Sequence, residues 1–487
     1  MTQLAVWLRS DLRCHDNPAL YYACQAAQAA QLPLVAVVTL APQQMLAHGQ
    51  GHRQADFLLR NLAEVKKELA KLQIPLKVLT SNTFAEQPQL LGEFCRQQQV
   101  KSVYCNLSYE WNERQRDLAV SQQLEQQGVS WKTFQDQVIF TPGQLLTGKG
   151  DYYTVFTPFY RKWLAQLTPE MLSPLPCPAP QQPNSLLADP LPDQLEGFVR
   201  PPESQALQEL WPAGETAALQ QLGHFCDQQL ADYHQLRDFP ALDATSRLSA
   251  WLAQGVLSSR QCLAAAWQAS AGRIQDKNTG AGVWVSELVW REFYKHLLVG
   301  FPRISRGKAF KIETERLAWR SLENTRVQQD LAAWQAGKTG FPLVDAAMRQ
   351  LNQTGWMHNR LRMLTAMFLS KQLLIDWRAG EAYFAQQLID WDLAANNGGW
   401  QWAASTGTDA VPYFRIFNPY SQSQRFDSEG QFIRRWVPEL KHLDNKAIHQ
   451  PPVDKADLFA QSSYPQPLVD LKAARERVMQ AFQAIKS

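Results

Sequence analysis

Four side chains of unlike chemistry recur at helical spacing in the segment SELVWREFY, residues 286–294. At positions i, i+3, i+4 and i+7 the segment carries Glu287, Trp290, Arg291 and Tyr294, which a helix would place on one stripe. This stripe is too polar for a core and too apolar for an ordinary solvated face. It suits a cavity that grips a flat, partly polar ligand, although a polar network between helices fits about equally well.

A second segment, GWMHNRLRM (355–363), repeats this spacing. If it is helical, it places Trp356, Asn359, Arg360 and Met363 on one face. A flavin or a base extruded from a duplex is the kind of flat ligand that both stripes would suit. We expect no metal site here, because no second His or Cys stands at ligand spacing from His358.

The run TSRLS (245–249) precedes a helical pattern. Its hydroxyl groups, backbone N–H groups and one cation are suited to holding a phosphate or pyrophosphate at a helix start. An ordinary Ser/Thr helix cap explains the same residues. On this run alone, the cap is the favoured interpretation.

The segment IDWDLAANNGGWQW (389–402) combines acids, amides, glycines and three tryptophans. Asp390 and Asp392 can accept hydrogen bonds, and the amides of Asn396 and Asn397 both donate and accept. The Gly398–Gly399 pair lets the backbone approach a ring system closely. The three tryptophans, Trp391, Trp400 and Trp402, can equally be large core rings.

The first third of the chain predicts the elements that position these groups. Short apolar runs alternate there with helical periods such as residues 53–72, which is typical of a doubly wound parallel sheet covered by helices. The five predicted strands are 4–9, 34–40, 75–80, 102–107 and 131–136. No G-x-G-x-x-G follows the first strand, which disfavours a dinucleotide site of the Rossmann kind there.

Three regions are predicted along the 487 residues. Residues 1–140 form an α/β domain with a five-stranded parallel sheet, residues 141–205 form a Pro-rich connector, and residues 206–487 form an all-α domain. The net charge of +3 neither demands nor excludes a nucleic-acid partner. Seven scattered cysteines fit reduced thiols. With neither a signal-peptide core nor a membrane-length apolar run, we expect a cytoplasmic protein.

Three multi-residue runs carry a resemblance to a known family. They are ELVWREFY (287–294), KTGFPLVDAAMRQLNQTGWMHNRLRM (338–363) and DLAANNGGWQWAASTGTDAVPYFRIFNP (392–419). In these runs the sequence resembles the photolyase/cryptochrome flavoproteins, and above all the class I cyclobutane pyrimidine dimer (CPD) photolyases of bacteria. The likeness extends over nearly the whole chain.

The resemblance implies one non-covalent FAD in the all-α domain, which becomes the FAD-binding domain. It also turns the phosphate interpretation of TSRLS into the favoured one. The implied FAD-binding residues are Tyr233, Thr245, Ser246, Arg247, Leu248, Ser249, Trp284, Arg291, Arg362, Asp390, Trp391, Asp392 and Asn396. Trp391 departs from the family pattern, in which a small residue is expected between the two aspartates.

The implied reaction is light-dependent repair of DNA: excited, fully reduced FAD passes an electron to a flipped-out CPD, whose ring then splits. The implied catalytic residues are Glu287, Trp290, Asn359, Met363, Asn396 and Trp402. Since six-four photolyases carry two histidines where this chain has Asn359 and Met363, dimer repair is favoured.

The resemblance also implies contacts to UV-damaged DNA and a chain of electron-hopping tryptophans. The implied DNA-binding residues are Arg237, Glu287, Trp290, Arg291, Tyr294, Asn359, Arg360, Trp402 and Arg415. The implied tryptophan chain is Trp400, Trp377 and Trp319. We expect a monomer with no membrane partner.

A second, antenna chromophore is also implied. Asn112 and Glu113 match the folate-binding pattern, while Ser305 and Arg306 stand where a folate-binding relative has Cys and Lys. Arg306 keeps the charge but changes the geometry. Methenyltetrahydrofolate is favoured, with a deazaflavin, a flavin or an empty cleft as alternatives. A solvated helix start is also a plausible interpretation of residues 109–117.

The chief alternative function is that of a cryptochrome, a blue-light photoreceptor with the same fold and cofactor. Cryptochromes commonly extend beyond the shared core, whereas this sequence ends soon after its last family-like helix, which favours repair. A dark flavin oxidoreductase would need a nicotinamide site, and the sequence has no glycine-rich fingerprint for one.

Overall fold

The computed structural model of the protein describes residues 2–452 and 464–485. A parallel sheet of five strands, in the spatial order β3-β2-β1-β4-β5, occupies the N-terminal part. The strands are β1 (Gln3–Leu8), β2 (Leu34–Leu40), β3 (Leu76–Thr80), β4 (Val100–Asn106) and β5 (Ser130–Phe134). All five lie where the apolar runs predict them, shifted by no more than two residues at either end.

The burial of each strand follows its place in the sheet. All six residues of β1, at the centre, are buried, as expected for a parallel strand covered on both faces. The edge strands β3 and β5 keep exposed or half-buried positions. Trp7 on β1 is fully buried in a core with Val35, Val37 and Phe94, where each large apolar side chain contributes about 1.5–3 kcal/mol.

Helices follow the strands in alternation. The strand order reverses about β1, so right-handed crossovers place helices on both faces of the sheet. These helices are α1 (Pro18–Ala30), α2 (Pro42–Ala47), α3 (His52–Lys71), α4 (Gln87–Gln97) and α5 (Trp111–Gln126). The predicted α/β fold with a doubly wound five-stranded sheet is confirmed.

Beyond β5, the elements are helical, as predicted. They are α6 (Phe156–Gln166), α7 (Ser204–Leu210), α8 (Glu215–Gln228), α9 (Tyr233–Leu236), α10 (Ser249–Ala253), α11 (Ser259–Ala269), α12 (Gly280–Gly300), α13 (Pro302–Ser305), α14 (Thr325–Gln335), α15 (Pro342–Thr354), α16 (Asn359–Met367), α17 (Trp377–Gln387), α18 (Leu393–Ala403), α19 (Pro419–Phe426), α20 (Gln431–Trp436) and α21 (Leu471–Ala484). Helix α6 lies inside the segment predicted as a connector. Short 3-10 turns and one π-helical segment, Phe368–Gln372, complete the helical elements of the described part.

The chain divides into two compact units. The first comprises Met1–His234, Ser246–Pro302 and Ile389–Ala394, and the second comprises Gln235–Thr245, Arg303–Leu388 and Ala395–Ser487. The predicted domain boundaries at residues 140 and 205 stay a prediction. None of the helices in the described ranges combines the length and the apolar character that a membrane crossing requires.

The prediction that Trp356 shares a helical stripe with Asn359 is wrong. Helix α15 ends at Thr354, because Gly355 adopts the left-handed conformation with φ +68° and caps it. A new helix starts only at Asn359, capped by His358. Trp356 therefore lies in the short connection between α15 and α16. The Thr-Gly pair after a periodic run is an ordinary helix stop signal.

Candidate active site

Helix α12 of the first unit presents the predicted stripe as its half-buried face. Glu287, Trp290, Arg291 and Tyr294 all keep partial exposure, while the neighbouring Leu288, Val289 and Phe293 are buried. The helix starts where Thr279 accepts a hydrogen bond from the N–H of Gly282 at 3.1 Å, a normal N-cap. A polar stripe that stays accessible on a largely buried helix is available to a ligand.

Tyr233 and Trp284, two predicted cofactor residues, contact one aromatic ring. Phe225 lies 4.8 Å from Trp284 and 5.7 Å from Tyr233, measured between ring centroids. All three side chains are buried. Close backbone packing at Gly280 supports this arrangement, since a Cβ there would lie 1.6 Å from the Leu230 carbonyl oxygen.

The guanidinium group of Arg291 is directed to oxygen atoms of its own unit. Its Nη1 donates to the Gln137 carbonyl at 2.9 Å and to Ser259 Oγ at 3.2 Å, and its Nη2 donates to the Leu252 carbonyl at 3.1 Å. Arg291 thereby joins α12 to the ends of α10 and α11. These N–H groups therefore donate to oxygen atoms of the protein and not to a ligand. The sequence did not predict these contacts.

A buried lysine bridges two carboxylates in the first unit. Lys295 Nζ lies 2.8 Å from Asp392 and 3.2 Å from Glu110, and its side chain is 1% exposed. Burial acts to lower the pKa of Lys295, but the Asp392 and Glu110 carboxylates outweigh burial and raise it. Sequence reasoning missed Lys295, although a lone lysine in an apolar helix is itself a signal of a buried partner.

The TSRLS run makes a concave backbone turn. Arg247 has φ +52° and the following Leu248 lies in the right-handed region. Successive residues of opposite hand direct their N–H groups to one side and form a nest that binds anions. Gln221 fixes the turn by donating to the Ser246 carbonyl at 3.1 Å. A left-handed non-glycine residue costs free energy, and such strain is common at binding sites.

In the second unit, the asparagine pair is fixed by a buried glutamate. Asn396 Nδ2 donates to the Glu381 carbonyl at 3.1 Å, and Asn397 Nδ2 donates to Glu381 Oε1 at 2.8 Å. Gln401 then donates to Asn397 Oδ1 at 2.8 Å. Burial raises the pKa of Glu381 to about 7. The amide group of Asn396 is therefore held in one orientation.

The three predicted electron-transfer tryptophans all lie in the second unit. Trp400 and Trp377 are buried, whereas Trp319 is half-buried. Trp400 packs so closely that a Cβ at Gly380 would lie 2.0 Å from its ring. Trp319 packs against a small buried cluster that includes Leu317 and itself remains partly exposed. This progression from buried to partly exposed rings is the one that an electron path to solvent requires.

Helix α16 carries four of the predicted site residues in its N-terminal half. Asn359 is exposed, and Arg360, Arg362 and Met363 are half-buried. Arg362 Nε donates to the Met357 carbonyl at 2.7 Å, which fixes the base of its side chain.

Arg360 also has a partner within its own unit. Its Nη2 lies 2.7 Å from an Asp238 carboxylate oxygen, next to the predicted DNA contact Arg237, and its guanidinium lies 4.5 Å from the Phe426 ring centre. Arg360 and Arg237 are therefore brought to one place. His358 caps the helix, and burial lowers its pKa to about 4.

Two further residues that were predicted to bind DNA lie on α18 and in the loop that follows it. Trp402 is half-buried on α18, and Arg415 is exposed in the loop that follows. Buried Lys371 donates to the Arg415 carbonyl at 3.1 Å and supports that loop. Phe414, which sequence reasoning did not select, is 52% exposed beside Arg415. An exposed ring beside a cation is a common feature of surfaces that bind nucleic acid.

The predicted antenna residues Asn112 and Glu113 lie at the start of α5, and the structure adds His48 to them. Asn112 Nδ2 lies 2.8 Å from His48 Nε2, and His48 Nδ1 lies 3.7 Å from Glu113 Oε1. Burial, followed by the Glu110 charge, raises the pKa of Glu113 to about 7. In the other unit, Ser305 ends α13 and Arg306 is exposed.

Known protein families and relatives match this chain over most of its length. Residues 4–181 match the family model described as DNA photolyase, and residues 284–484 match the FAD binding domain of DNA photolyase. The deoxyribodipyrimidine photo-lyase of Escherichia coli K12 is 45% identical over 487 residues, which cover 100% of this chain and 99% of that relative. The chain belongs to the DNA photolyase family.

Two solved photolyase structures are similar to this chain over nearly its whole length. A bacterial class III photolyase from Agrobacterium tumefaciens is 35% identical with a TM-score of 0.88, covering 100% of this chain and 98% of that one. An archaeal photolyase from Sulfolobus tokodaii, solved with two FAD molecules, is 28% identical with a TM-score of 0.79, covering 99% and 100% respectively.

The residues of this photolyase family member fit an FAD. The nest at Arg247–Leu248 suits a pyrophosphate, and Asp392, held by Lys295, offers carboxylate oxygens. The indole Nε1 of Trp391 is buried and meets no hydrogen-bond acceptor within residues 2–452 and 464–485. A buried N–H of that kind costs free energy unless a ligand accepts from it. The donor set is therefore suited to a polar dinucleotide.

Proposed function

We propose that this chain is a light-dependent deoxyribodipyrimidine photo-lyase that repairs cyclobutane pyrimidine dimers in UV-damaged DNA. The observation that carries the proposal is the stripe on α12. One helix presents Glu287 and Trp290 on its half-buried face and, two turns further along, the buried Lys295 bridge to Asp392. When bound, reduced FAD supplies one electron to the dimer after absorbing light and receives it back once the ring has split.

The protein's own residues hold the cofactor in this proposal. Arg247 and Leu248 bind the pyrophosphate through backbone N–H groups, while the hydroxyls of Thr245, Ser246 and Ser249 can add hydrogen bonds. The residues proposed to line the remainder are Tyr233, Trp284, Arg291, Arg362, Asp390, Trp391, Asp392 and Asn396. The contacts of Arg291 within its own unit favour a positioning role for that residue.

Glu287 and two aromatic rings receive the flipped dimer. Flipping costs a few kcal/mol, less for a damaged and poorly stacked base. Glu287 hydrogen-bonds the dimer and stabilises negative charge that develops on it. Trp290 and Trp402, both half-buried, supply flat apolar walls. These groups bind and orient the lesion and exclude water from it.

The class of lesion follows from two positions on α16. Asn359 and Met363 are one turn apart and both keep exposure. Neither side chain can donate a proton as a protonated histidine does. We therefore propose repair of cyclobutane dimers and not of six-four photoproducts.

We propose phosphate contacts for three cations of the second unit. Arg237, Arg360 and Arg415 are proposed to bind the DNA backbone, with Tyr294 at the edge of the lesion site. Arg415 is exposed, and Arg360 is already oriented by Asp238. Such contacts position the duplex without reading its sequence.

We propose that Trp400, Trp377 and Trp319 conduct electrons between the surface and the cofactor when the cofactor is oxidised. The burial of Trp400 and Trp377 and the partial exposure of Trp319 support Trp319 as the end of the path nearest to the surface. The path serves activation of the enzyme and not the repair step. Its loss should therefore spare repair by enzyme that is already reduced.

A second chromophore is proposed at His48, Asn112 and Glu113, with methenyltetrahydrofolate favoured. The three side chains meet in one unit and offer a ring nitrogen, an amide and a buried carboxyl group of raised pKa. Ser305 and Arg306 complete the proposed set. Reconstitution with methenyltetrahydrofolate, a deazaflavin or FAD in turn, followed by absorption spectroscopy, distinguishes the candidates.

We also propose a cytoplasmic monomer. All seven cysteines are free thiols and five of them are buried, which is typical of proteins in reducing compartments. Light scattering of the purified protein tests the monomeric state.

Illumination of DNA that contains cyclobutane dimers, with a dark control, tests the proposed function. We expect dimers to disappear only in the light and only with reduced enzyme. A protein that binds FAD and responds to light but leaves the dimers intact would instead be a photoreceptor of the cryptochrome kind.

A further inference from the structure

Two aromatic rings of the first unit lie face to face beside the proposed lesion site. The centroid of Phe156, on α6, lies 3.7 Å from that of Trp290, on α12, and the ring planes differ by 9°. Phe156 is 7% exposed, whereas Trp290 remains half-buried. One face of Trp290 is therefore covered by Phe156.

Helix α6 is fixed to α12 by a buried hydrogen bond. Trp163, seven residues after Phe156, donates its indole N–H to Glu292 Oε1 at 2.9 Å. The same carboxylate accepts from the backbone N–H groups of Ile139 and Phe140 at 2.7 and 3.0 Å. Three donors that share one buried carboxyl group resist displacement, because a buried donor that loses its acceptor costs free energy. The position of Phe156 against α12 is therefore set by the fold before any ligand arrives.

Further rings restrict the orientation of the stacked pair. Phe293 meets Trp290 edge-on at 5.6 Å and 78°, and meets Phe156 at 5.8 Å and 71°. Tyr160 lies 5.6 Å from Phe156 with planes 21° apart. A tryptophan bordered by one parallel and one perpendicular ring has few rotamers available.

We propose that Phe156 is a positioning residue for the lesion, because it holds the Trp290 ring in the plane against which a flipped pyrimidine dimer packs. This inference rests on the proposed function, since it needs Trp290 to contact the dimer. Phe156 itself touches neither the lesion nor the cofactor in this arrangement. It acts by removing the freedom of Trp290 in advance of binding.

The expected size of the effect follows from side-chain ordering. Immobilising one rotamer-rich side chain at an interface costs about 0.5–1.5 kcal/mol, which corresponds to about a 2- to 12-fold change in a dissociation constant. With Phe156 replaced by a residue without a ring, Trp290 would have to be ordered at the moment of lesion binding. Undamaged DNA, which presents no flipped dimer to Trp290, would not incur this cost.

The test measures damage discrimination, defined as the ratio of dissociation constants for an undamaged oligonucleotide and one with a single cyclobutane dimer. It compares Phe156→Leu, Trp290→Ala and the double variant. Phe159→Leu is the matched control, because Phe159 lies on the same helix but packs against Phe293 and His296. If Phe156→Leu does not fold, Phe156→Met replaces it. The melting temperature of each variant is recorded alongside.

We expect Phe156→Leu to reduce discrimination about 2- to 12-fold and to have no further effect once Trp290 is alanine. Phe159→Leu should lower the melting temperature and leave discrimination unchanged. Equal effects of Phe156→Leu with and without Trp290, or equal losses for both DNAs, would overturn the inference. If Trp290→Ala itself leaves discrimination intact, the lesion role proposed for Trp290 fails instead.

Discussion

Replacing Lys295 by methionine tests the buried bridge on α12. The substitution keeps most of the volume and removes the charge that lies 2.8 Å from Asp392 and 3.2 Å from Glu110. These two carboxylates lie no more than about 6 Å apart, given their distances to the shared Nζ. Without the lysine, two half-buried carboxylates face one another across a buried position that no longer holds a cation.

The expected loss of stability is large. At an effective dielectric constant of about 20, two unit charges about 6 Å apart repel by about 3 kcal/mol. Removing one partner of a buried ion pair costs about 3–5 kcal/mol by general experience. For a unit of roughly 300 residues, the entropy of unfolding is about 0.6 kcal/mol per degree, so the transition should fall by about 5–8 °C.

The loss should depend on pH in a defined direction. In the wild type, the Asp392 and Glu110 carboxylates outweigh burial and raise the pKa of Lys295 above its ordinary value of 10.5. A group with a raised folded pKa contributes stability that is fully present below its unfolded pKa and is lost as the pH rises through the folded pKa. The gap in the free energy of unfolding between wild type and Lys295→Met should therefore stay about constant from pH 6 to pH 9 and narrow above about pH 10.

The assay is thermal unfolding followed by circular dichroism, with FAD retention on a desalting column as a second readout. Lys67→Met is the control, because Lys67 pairs with Glu64 on the surface at 64% and 38% exposure, and such pairs contribute about 0–1 kcal/mol. If Lys295→Met unfolds no earlier than Lys67→Met, the bridge does not stabilise this unit and the reasoning is refuted.

Three further predictions concern repair, photoreduction and pH. Glu287→Ala should reduce repair per absorbed photon severalfold with little change in affinity for damaged DNA; unchanged repair in a quantum-yield assay would remove its assigned role. Trp319→Phe should slow photoreduction of oxidised flavin severalfold, measured by absorption, while repair by chemically reduced enzyme stays normal; unaltered photoreduction would reject the proposed tryptophan path. Burial raises the pKa of Glu292 from 4.5 to about 7, so the unfolded chain releases this proton first and stability should fall by about 3 kcal/mol as the pH rises through that window. Glu292→Gln should be less stable overall, because the variant loses one hydrogen-bond acceptor. The free energy of unfolding of this variant, measured by denaturation between pH 4.5 and 7, should lack this part of the decrease with pH. An unchanged dependence on pH would contradict the assignment.

Several functional candidates were not recognised in the sequence, because no clear sequence motif marks them. His48 directly follows the short helix α2 and belongs to no motif, and only the fold brings it to Asn112. Phe156 lies in a stretch interpreted as a connector, although VFTPFYRKW has a helical apolar period. Trp356 shows the opposite error, since a spacing argument was extended across a glycine that ends the helix.

The sequence by itself determined the strands, most helices and the stripe on α12, because these depend on short apolar runs and on a period of about four residues that neighbouring residues impose locally. The family resemblance then supplied the cofactor and the reaction. Only the tertiary structure decided that Lys295 bridges Glu110 and Asp392, residues 185 and 97 positions away. The same holds for the stacking of Phe156 on Trp290. Partners so distant along the chain are selected by packing and by the need to pair buried charges, neither of which leaves a fixed spacing in the sequence.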